Sequence, residues 1–164
     1  MSRVFLGLGS NVGDRLGYLR TAVGRLRAVE PLRIIAVSPV YETEPVGKKD
    51  QREFLNLVLG CESDCDPRNL AAIVREIERL VGRTPGGQWG PREIDIDILY
   101  TGDSVVTSIP VRIPHPRARH RKFVLVPMCD ISPSFPDPLT GKRMIDLLRE
   151  CPGEERIRKS EETL

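Results

Sequence analysis

The stretch WGPREIDIDILY, residues 89–100, alternates apolar and acidic side chains, and this alternation strongly restricts how the chain can fold. Ile94, Ile96 and Ile98 are β-branched and follow a Gly-Pro turn, so the pattern predicts a β-strand. Successive side chains of a strand point to opposite faces, which places the isoleucines on one face and Asp95 and Asp97 on the other. We therefore expect a sheet with one apolar face and two neighbouring carboxylates on the opposite face.

These two carboxylates, about 6.6 Å apart along a strand, repel one another when both are charged. One interpretation is a solvated sheet face on which Arg92 forms an ion pair with them. The other is a site for a hard divalent cation, since Mg²⁺ prefers one or two carboxylates together with phosphate oxygens. The segment alone leaves both interpretations open.

The size of the chain, 164 residues, suits one compact domain that spans residues 1–164. Its 25 Lys and Arg residues barely exceed its 23 Asp and Glu residues, so no overall positive field favours nonspecific nucleic-acid binding. No apolar run is long enough for a signal peptide or a membrane span, which predicts a soluble cytoplasmic protein. The four cysteines lack C-x-x-C spacing and are expected to be free thiols without an assigned role.

The order of predicted elements is β-α-β-β-α-β, which is typical of an α+β, ferredoxin-like sandwich. In this arrangement an antiparallel sheet carries helices on one face and leaves the other face free for ligands. The second helix is the most clearly delimited, because Asp66 can cap it, Pro67 can begin it and Gly82 can end it. The predicted segments are the strands SRVFLGLGS, LRIIAVSPVYETEPVG, EFLNLVLGCE and EIDIDIL, the helices 13–30 and 67–81, and then extra C-terminal elements: a short strand KFVLVP, a helix 144–149 and a charged tail, 154–164, that we expect to fray.

Phosphate groups, if the chain binds them, must be held by side chains. GLGSNVG does not match the dinucleotide fingerprint, and no G-x-x-x-x-G-K-[ST] sequence is present. The run VRIPHPRARHRKF is rich in arginine, which is compatible with a solvated loop but also with phosphate binding, because guanidinium groups match phosphate oxygens. Arg83 and Arg92 flank the Gly-rich loop that precedes the aspartates. Carboxylates and arginines together favour phosphoryl-type transfer.

An aromatic and an amide side chain share one face of the third strand. Phe54 can offer a stacking surface, and Asn56 can offer a donor and an acceptor to the edge of a heterocycle. Each could equally be ordinary, since a Phe is often part of the core and a strand Asn is often exposed. Their position next to the turn ETEPVG makes a small aromatic pocket a reasonable hypothesis.

Five segments together resemble the 6-hydroxymethyl-7,8-dihydropterin pyrophosphokinase family of folate biosynthesis: GLGSNVGDR, YETEPVG, FLNLVLGCE, WGPREIDIDIL and IPHPRARHRKFVLVP. The similarity runs in order from Val4 to about Pro133, and the W-G-P-R-x-x-D-x-D-I segment is its most specific part. The resemblance implies transfer of the β,γ-diphosphate of ATP to the pterin hydroxymethyl group, release of AMP and use of two Mg²⁺ ions. It implies small-molecule partners only, and we expect a monomer.

The same resemblance assigns roles to individual residues, with no dedicated protein base. Asp95 and Asp97 resemble the ligands of both metal ions, and with Arg83 and Arg92 they form the expected catalytic set. Trp89 resembles a lid residue. The expected ATP-binding residues are Glu78, Arg83, Arg92, His115 and Arg121, and the expected pterin-binding residues are Thr43, Pro45, Val46, Phe54, Asn56, Trp89 and Phe123.

The chain departs from the family's pattern in its lid loop, residues 84–88, which contains no basic residue. We therefore expect weaker phosphate contact from that loop and greater dependence on Arg92 and Arg121. Pro116 follows His115 where some members have an aromatic residue, which removes a stacking group. Two alternatives remain: a ferredoxin-like RNA-binding module with RKFVLVP on a central strand, and an inactive nucleotide-binding protein of the same fold.

Overall fold

The computed structural model describes residues 1–164 as six β-strands and four α-helices. An antiparallel sheet with flanking helices confirms the predicted α+β class. None of the helices is long and apolar enough to cross a membrane, and the four cysteines form no disulfide. The elements in chain order are β1 (Ser2–Ser10), α1 (Arg15–Arg27), β2 (Leu32–Val37), β3 (Tyr41–Thr43), β4 (Phe54–Ser63), α2 (Pro67–Val81), β5 (Asp95–Thr101), α3 (Lys122–Ile131), α4 (Met144–Glu150) and β6 (Ile157–Lys159).

The sheet is organised around its longest strand, β4. The strand order is β5-β1-β4-β3-β6, and β2 also pairs with β4. One edge of β4 pairs with β1 along the length of both strands, and the other edge is shared between β2 and β3. All of these pairings are antiparallel, so alternate side chains of β1, β4 and β5 line up across the sheet.

The first face of the sheet carries α1 and α2 over an apolar core. Leu55, Leu57 and Leu59 of β4 are buried on this face, as the alternation predicts, together with Leu6 and Leu8 of β1. Both ends of α2 follow the prediction as well. The Asp66 side chain accepts hydrogen bonds from two backbone N–H groups of the first turn, and Gly82 ends the helix in the left-handed conformation, with φ of 116°.

The second face carries α3 and α4, so the prediction that helices cover one face only is wrong. Phe5 of β1, Val58 of β4 and Leu99 of β5 are buried there against Met128 and Met144. These helices cover only one half of the face. The other half stays open, and it is the half on which Asp95 and Asp97 lie.

The prediction of a strand at KFVLVP is also wrong, because these residues form the first part of α3. Aromatic and β-branched residues favour strands, which suggested a strand here, and Pro127 lies inside the helix that forms instead. Tertiary packing decides otherwise, since Val124, Leu125 and Met128 are all buried on one side of the helix against the sheet. The RNA-binding alternative required this segment as a central strand and loses its basis.

Two further segments differ from the predictions. The second predicted strand is two strands, β2 and β3, because the chain breaks pairing around Ser38 and Pro39. The Ser38 hydroxyl accepts the hydrogen bond of the Val58 N–H at 2.9 Å, which a strand carbonyl would otherwise accept. The C-terminal tail that we expected to fray contributes β6, which pairs with β3.

Candidate active site

A cavity of about 720 Å³ opens over the uncovered half of the second sheet face. Its size lies within the range of small-molecule sites. The floor belongs to β1, β4 and β5, and the walls come from α2, the start of α3 and the loops that surround the sheet edge. The floor residues continue the alternation of Phe5, Val58 and Leu99 along their strands: Gly7 and Gly9 on β1, Phe54 and Asn56 on β4, Asp95 and Asp97 on β5.

The glycines of β1 make this floor accessible. Gly9 pairs with Asn56 on one side and with Asp95 on the other. A Cβ atom at Gly9 would lie 2.6 Å from Asn56 Oδ1, and one at Gly7 would lie 3.4 Å from the Leu99 side chain. Sequence reasoning treated both glycines only as a strand end. The signal that could have identified them was their shared face with Phe5.

Asp95 is held by two arginines. Its Oδ1 lies 3.0 Å from Arg83 Nη1 and 2.9 Å from Arg92 Nη1. The ion pair with Arg92 is the one that the first interpretation of the acidic strand predicted. Arg83 comes from the end of α2 and Arg92 from the loop before β5, so the carboxylate joins two walls of the cavity.

Asp97 receives no such support. Its nearest ion-pair partner is His115, whose Nε2 lies 3.9 Å from Asp97 Oδ2, and 35% of its side-chain area is exposed at the cavity floor. Desolvation in the cleft and the neighbouring charge of Asp95 raise the pKa of Asp97 to about 7. A carboxylate without a cationic partner beside a second carboxylate suits a hard divalent ion. No group of three or more His, Cys, Asp or Glu side chains forms a complete cage, so other ligands of such an ion must come from water or substrate.

His115 is neutral at physiological pH in this arrangement. Burial and the charges of Arg121 and Arg117 lower the pKa of His115 to about 4. Its Nδ1 accepts a hydrogen bond from the Arg117 backbone N–H at 3.2 Å, so the proton resides on Nε2 and faces Asp97. The role of His115 in binding a triphosphate stays a prediction, and in the ligand-free protein its side chain offers a hydrogen-bond donor.

Glu78 is a buried residue of α2 that supports Arg83. Its carboxylate accepts a hydrogen bond from the Ile96 N–H at 2.8 Å and from Arg83 Nη1. Burial raises the pKa of Glu78 above its ordinary value, although both partners oppose the shift. The carboxylate therefore links β5 to Arg83 and directs that guanidinium toward Asp95.

Two aromatic side chains line the other end of the cavity, which we call the slot. Phe54 rises from β4 and Phe123 from the start of α3, and neither ring stacks on another aromatic side chain. Asn56 of β4 lies at the base of the slot and donates a hydrogen bond from Nδ2 to Thr43 Oγ1 of β3 at 2.6 Å. We call the part of the cavity that contains Asp95 and Asp97 the acidic end. The Arg121 guanidinium lies 5.1 Å from the centre of the Phe123 ring and also acts on the charge of Asp97, so it connects the slot with the acidic end.

The structure brings almost all of the sequence-predicted residues together. Pro45 is the exception, since it is buried beside Thr43 and Val46 without lining the cavity. Arg119 of the basic run also points elsewhere, toward Asp137 at 4.0 Å. The predicted residues that line the cavity are Thr43, Val46, Phe54, Asn56, Glu78, Arg83, Trp89, Arg92, Asp95, Asp97, His115, Arg121 and Phe123.

Asn11 is a buried residue that sequence reasoning missed. Its backbone N–H donates to the Arg92 carbonyl and its Oδ1 accepts from the Arg92 N–H at 2.7 Å. Its Nδ2 donates to Gln51 Oε1 and to the Arg52 carbonyl. Gln51 in turn donates to the Trp89 carbonyl at 3.1 Å. Asn11 thereby ties the turn after β1 to the two loops that border the slot.

The sequence matches one family of known proteins. A model of the 7,8-dihydro-6-hydroxymethylpterin-pyrophosphokinase (HPPK) family matches residues 5–133. The chain is 41% identical over 142 residues to the 2-amino-4-hydroxy-6-hydroxymethyldihydropteridine pyrophosphokinase of Aquifex aeolicus, covering 87% of this chain and 88% of that protein. It is 40% identical over 127 residues to the Bacillus subtilis protein of the same name, and that match covers 77% of this chain and 76% of the Bacillus subtilis protein.

Solved structures show the same fold at low sequence identity. The crystal structure of wild-type Plasmodium falciparum HPPK-DHPS with pteroate superposes with a TM-score of 0.73 at 16% identity. The match covers 91% of this chain but only 44% of that one, so the chain spans less than half of that protein. From the family match over most of its length and the close relatives, the chain belongs to the 7,8-dihydro-6-hydroxymethylpterin-pyrophosphokinase family.

Proposed function

We propose that this chain transfers the β,γ-diphosphate of ATP to the hydroxymethyl group of 6-hydroxymethyl-7,8-dihydropterin, a step of folate synthesis. The observation that carries the proposal is the meeting of two chemistries in one cavity: paired carboxylates and arginines at one end, and an aromatic slot at the other. The relatives that carry the pyrophosphokinase name support the same reaction.

The pterin ring is proposed to lie between Phe54 and Phe123. The slot is free of other stacked rings, so a planar heterocycle can enter and bury both of its faces. Asn56 Oδ1 accepts no hydrogen bond within the protein and can accept one from a ring N–H. The hydroxymethyl group would then extend along the floor toward Asp97.

The nucleotide is proposed to occupy the opposite end. Ala71 and Val74 of α2, with Ile98 and Val111, give this end an apolar lining that can cover an adenine ring. From there the triphosphate reaches Arg83, Arg92 and Arg121, whose guanidinium groups pair with phosphate oxygens. Neutral His115 can donate from Nε2 to a phosphate oxygen.

Two Mg²⁺ ions are proposed as cofactors, with Asp95 and Asp97 as the protein ligands. Asp95 and Asp97 would hold these ions, which would supply positive charge that polarises the phosphate groups. The residues fit such ions because no Lys or Arg side chain lies within 4.0 Å of the Asp97 carboxylate, whose one neighbour at that distance is His115. Asp95 would exchange part of its pairing with Arg83 and Arg92 for a metal ion, which frees those arginines for the triphosphate.

The reaction forms a bond between the hydroxymethyl oxygen and the β-phosphorus and breaks the bond from that phosphorus to the oxygen shared with the α-phosphorus. AMP leaves with that oxygen, and the hydroxyl proton passes to water as the new bond forms. The work of the protein is to hold the two reactants in line and to stabilise charge on the transferred group. Arg121 lies between the slot and the acidic end, a position that suits contact with the diphosphate group during its transfer.

The direct test incubates the protein with ATP, Mg²⁺ and the hydroxymethyl dihydropterin and separates the nucleotides by chromatography. AMP and the pterin diphosphate are expected in equal amounts, whereas ADP would identify an ordinary kinase and refute the proposal. Asp97→Asn is expected to remove turnover while the protein keeps its circular dichroism spectrum. A folded Asp97→Asn protein with full activity would refute the metal assignment.

A further inference from the structure

Trp89 lies over the cavity in a constrained conformation. Its φ is 66°, which a non-glycine residue rarely adopts, and its ring packs on Gly47, where a Cβ would lie 3.3 Å from the indole. Gln51 donates a hydrogen bond to its carbonyl. Both partners come from the loop between β3 and β4, so that loop holds one side of the indole.

Arg117 also contacts the indole. Its guanidinium carbon lies 4.4 Å from the centre of the Trp89 ring, a cation–π distance. Arg117 is exposed, and its guanidinium forms no ion pair and no hydrogen bond with another side chain. Sequence reasoning counted this residue among candidates for phosphate binding, but its side chain is directed at the indole.

The backbone of Arg117 has a second contact within the site. Its N–H donates to His115 Nδ1, which keeps the proton of His115 on Nε2, 3.9 Å from Asp97 Oδ2. One residue therefore contacts the roof of the cavity with its side chain and the acidic end with its backbone.

We propose that Arg117 is a positioning residue that holds Trp89 closed over the pterin slot and connects this roof to His115. The inference rests on the proposed function for its effect on turnover, but the contact itself is independent of that function. The loop of residues 84–88 that precedes Trp89 contains no basic residue and has an exposed backbone, so it has little to hold the indole in place. Arg117, from outside that loop, supplies a cation that contacts the indole.

The test uses Trp89 as its own reporter, since it is the only tryptophan of the chain. Quenching of its fluorescence by acrylamide measures how often the indole leaves its position over the cavity and becomes accessible to solvent. Acrylamide is chosen because it is neutral, whereas the variants change the local charge. Arg117→Met removes the cation but keeps the backbone N–H and an apolar side chain, and Arg117→Lys keeps the charge. Arg25→Met on the exposed side of α1 is the matched control.

The ratio of displaced to seated Trp89 is expected to rise about two- to fivefold in Arg117→Met, which is the factor of a cation–π contact at a partly exposed site. Quenching should rise accordingly in the ligand-free protein, stay unchanged in Arg25→Met and return most of the way in Arg117→Lys. In turnover, the KM for the pterin follows the fraction of molecules whose indole is seated, so it should rise by no more than this factor, while kcat and the KM for ATP stay close to the wild-type values.

Two results would overturn the proposal. Unchanged quenching in Arg117→Met would show that Arg117 does not hold the indole, whether or not the protein turns over the pterin. A rise in the KM for ATP alone would assign Arg117 to the nucleotide. Wild-type protein without turnover would refute the proposed function, and the quenching series would still decide the role of Arg117.

Discussion

Gly9→Ala tests whether the open floor of β1 is what lets Asn56 recognise the pterin. Gly9 lies in register between Asn56 of β4 and Asp95 of β5, on the face that lines the cavity. The substitution adds a single methyl group at a position where the structure has a glycine in extended backbone. Any effect therefore comes from the space that this methyl group occupies.

The size of the effect follows from the distances. The new Cβ would lie 2.6 Å from Asn56 Oδ1, whereas ordinary contact begins at 3.4 Å, so the carboxamide must move by about 0.8 Å. Asn56 cannot move freely, because it is buried and donates to Thr43 Oγ1. Misplacement of a positioning group by about 1 Å can reduce turnover about 100-fold. Overpacking should lower the free energy of unfolding by about 1–3 kcal/mol.

The assay measures kcat and KM for the pterin and for ATP, together with the thermal unfolding midpoint. Gly9→Ala should lower kcat/KM for the pterin by about 10- to 100-fold and change the KM for ATP far less. Gly7→Ala is the matched control, since its Cβ would meet Leu99 at 3.4 Å, which is ordinary contact. It should lower kcat/KM for the pterin much less than Gly9→Ala does.

An unchanged kcat/KM for the pterin in a folded Gly9→Ala protein would refute this reasoning. It would mean that the Asn56 carboxamide is not a pterin contact or that the floor adapts without loss. Equal losses in Gly7→Ala and Gly9→Ala would also contradict it, because the two methyl groups meet different neighbours.

Three further predictions concern the charged groups of the cavity. The pKa of Asp97 is raised from 3.8 to about 7, so the ligand-free folded protein holds a proton that the unfolded chain has released, and its stability should fall as pH rises from about 4 to 7. Thermal unfolding midpoints of the wild type and of Asp97→Asn should be measured across this pH range. The fall in stability that comes from Asp97 should be present in the wild type and absent from Asp97→Asn. Arg121→Ala should lower kcat about 100- to 1,000-fold, the range for loss of one donor to a charged transition state. Glu78→Gln keeps an acceptor for the Ile96 N–H but loses the charge that directs Arg83. Steady-state kinetics should show a KM for ATP raised about tenfold, with a thermal midpoint within about 3 °C of the wild type.

Each of these has an outcome that contradicts it. Parallel stability profiles for the wild type and Asp97→Asn would show that Asp97 titrates normally in the folded protein. Unchanged kcat in Arg121→Ala would show that Arg83 and Arg92 suffice to bind the phosphate groups. A Glu78→Gln protein with normal ATP kinetics would show that Asp95 alone suffices to position Arg83.

The local elements of the fold could be predicted from the sequence because they depend on neighbouring residues. The alternation in EIDIDIL specified a strand with Asp95 and Asp97 on one side, since strand geometry repeats every two residues. Asp66, Pro67 and Gly82 specified both ends of α2 through backbone hydrogen bonding at helix ends. The resemblance of the motifs then indicated the family, and nearly all of the residues that it pointed to line the cavity.

The tertiary structure decided what depends on residues distant in sequence. KFVLVP is a helix because the sheet offers Phe5, Val58 and Leu99 as a packing surface, and local preference for a strand is weaker than that burial. The neutral state of His115, the free carboxylate of Asp97 and the contact of Arg117 with Trp89 are likewise consequences of spatial arrangement. Charge and packing at these positions depend on groups that only the folded chain brings within a few ångströms of one another, and no spacing along the sequence encodes those distances.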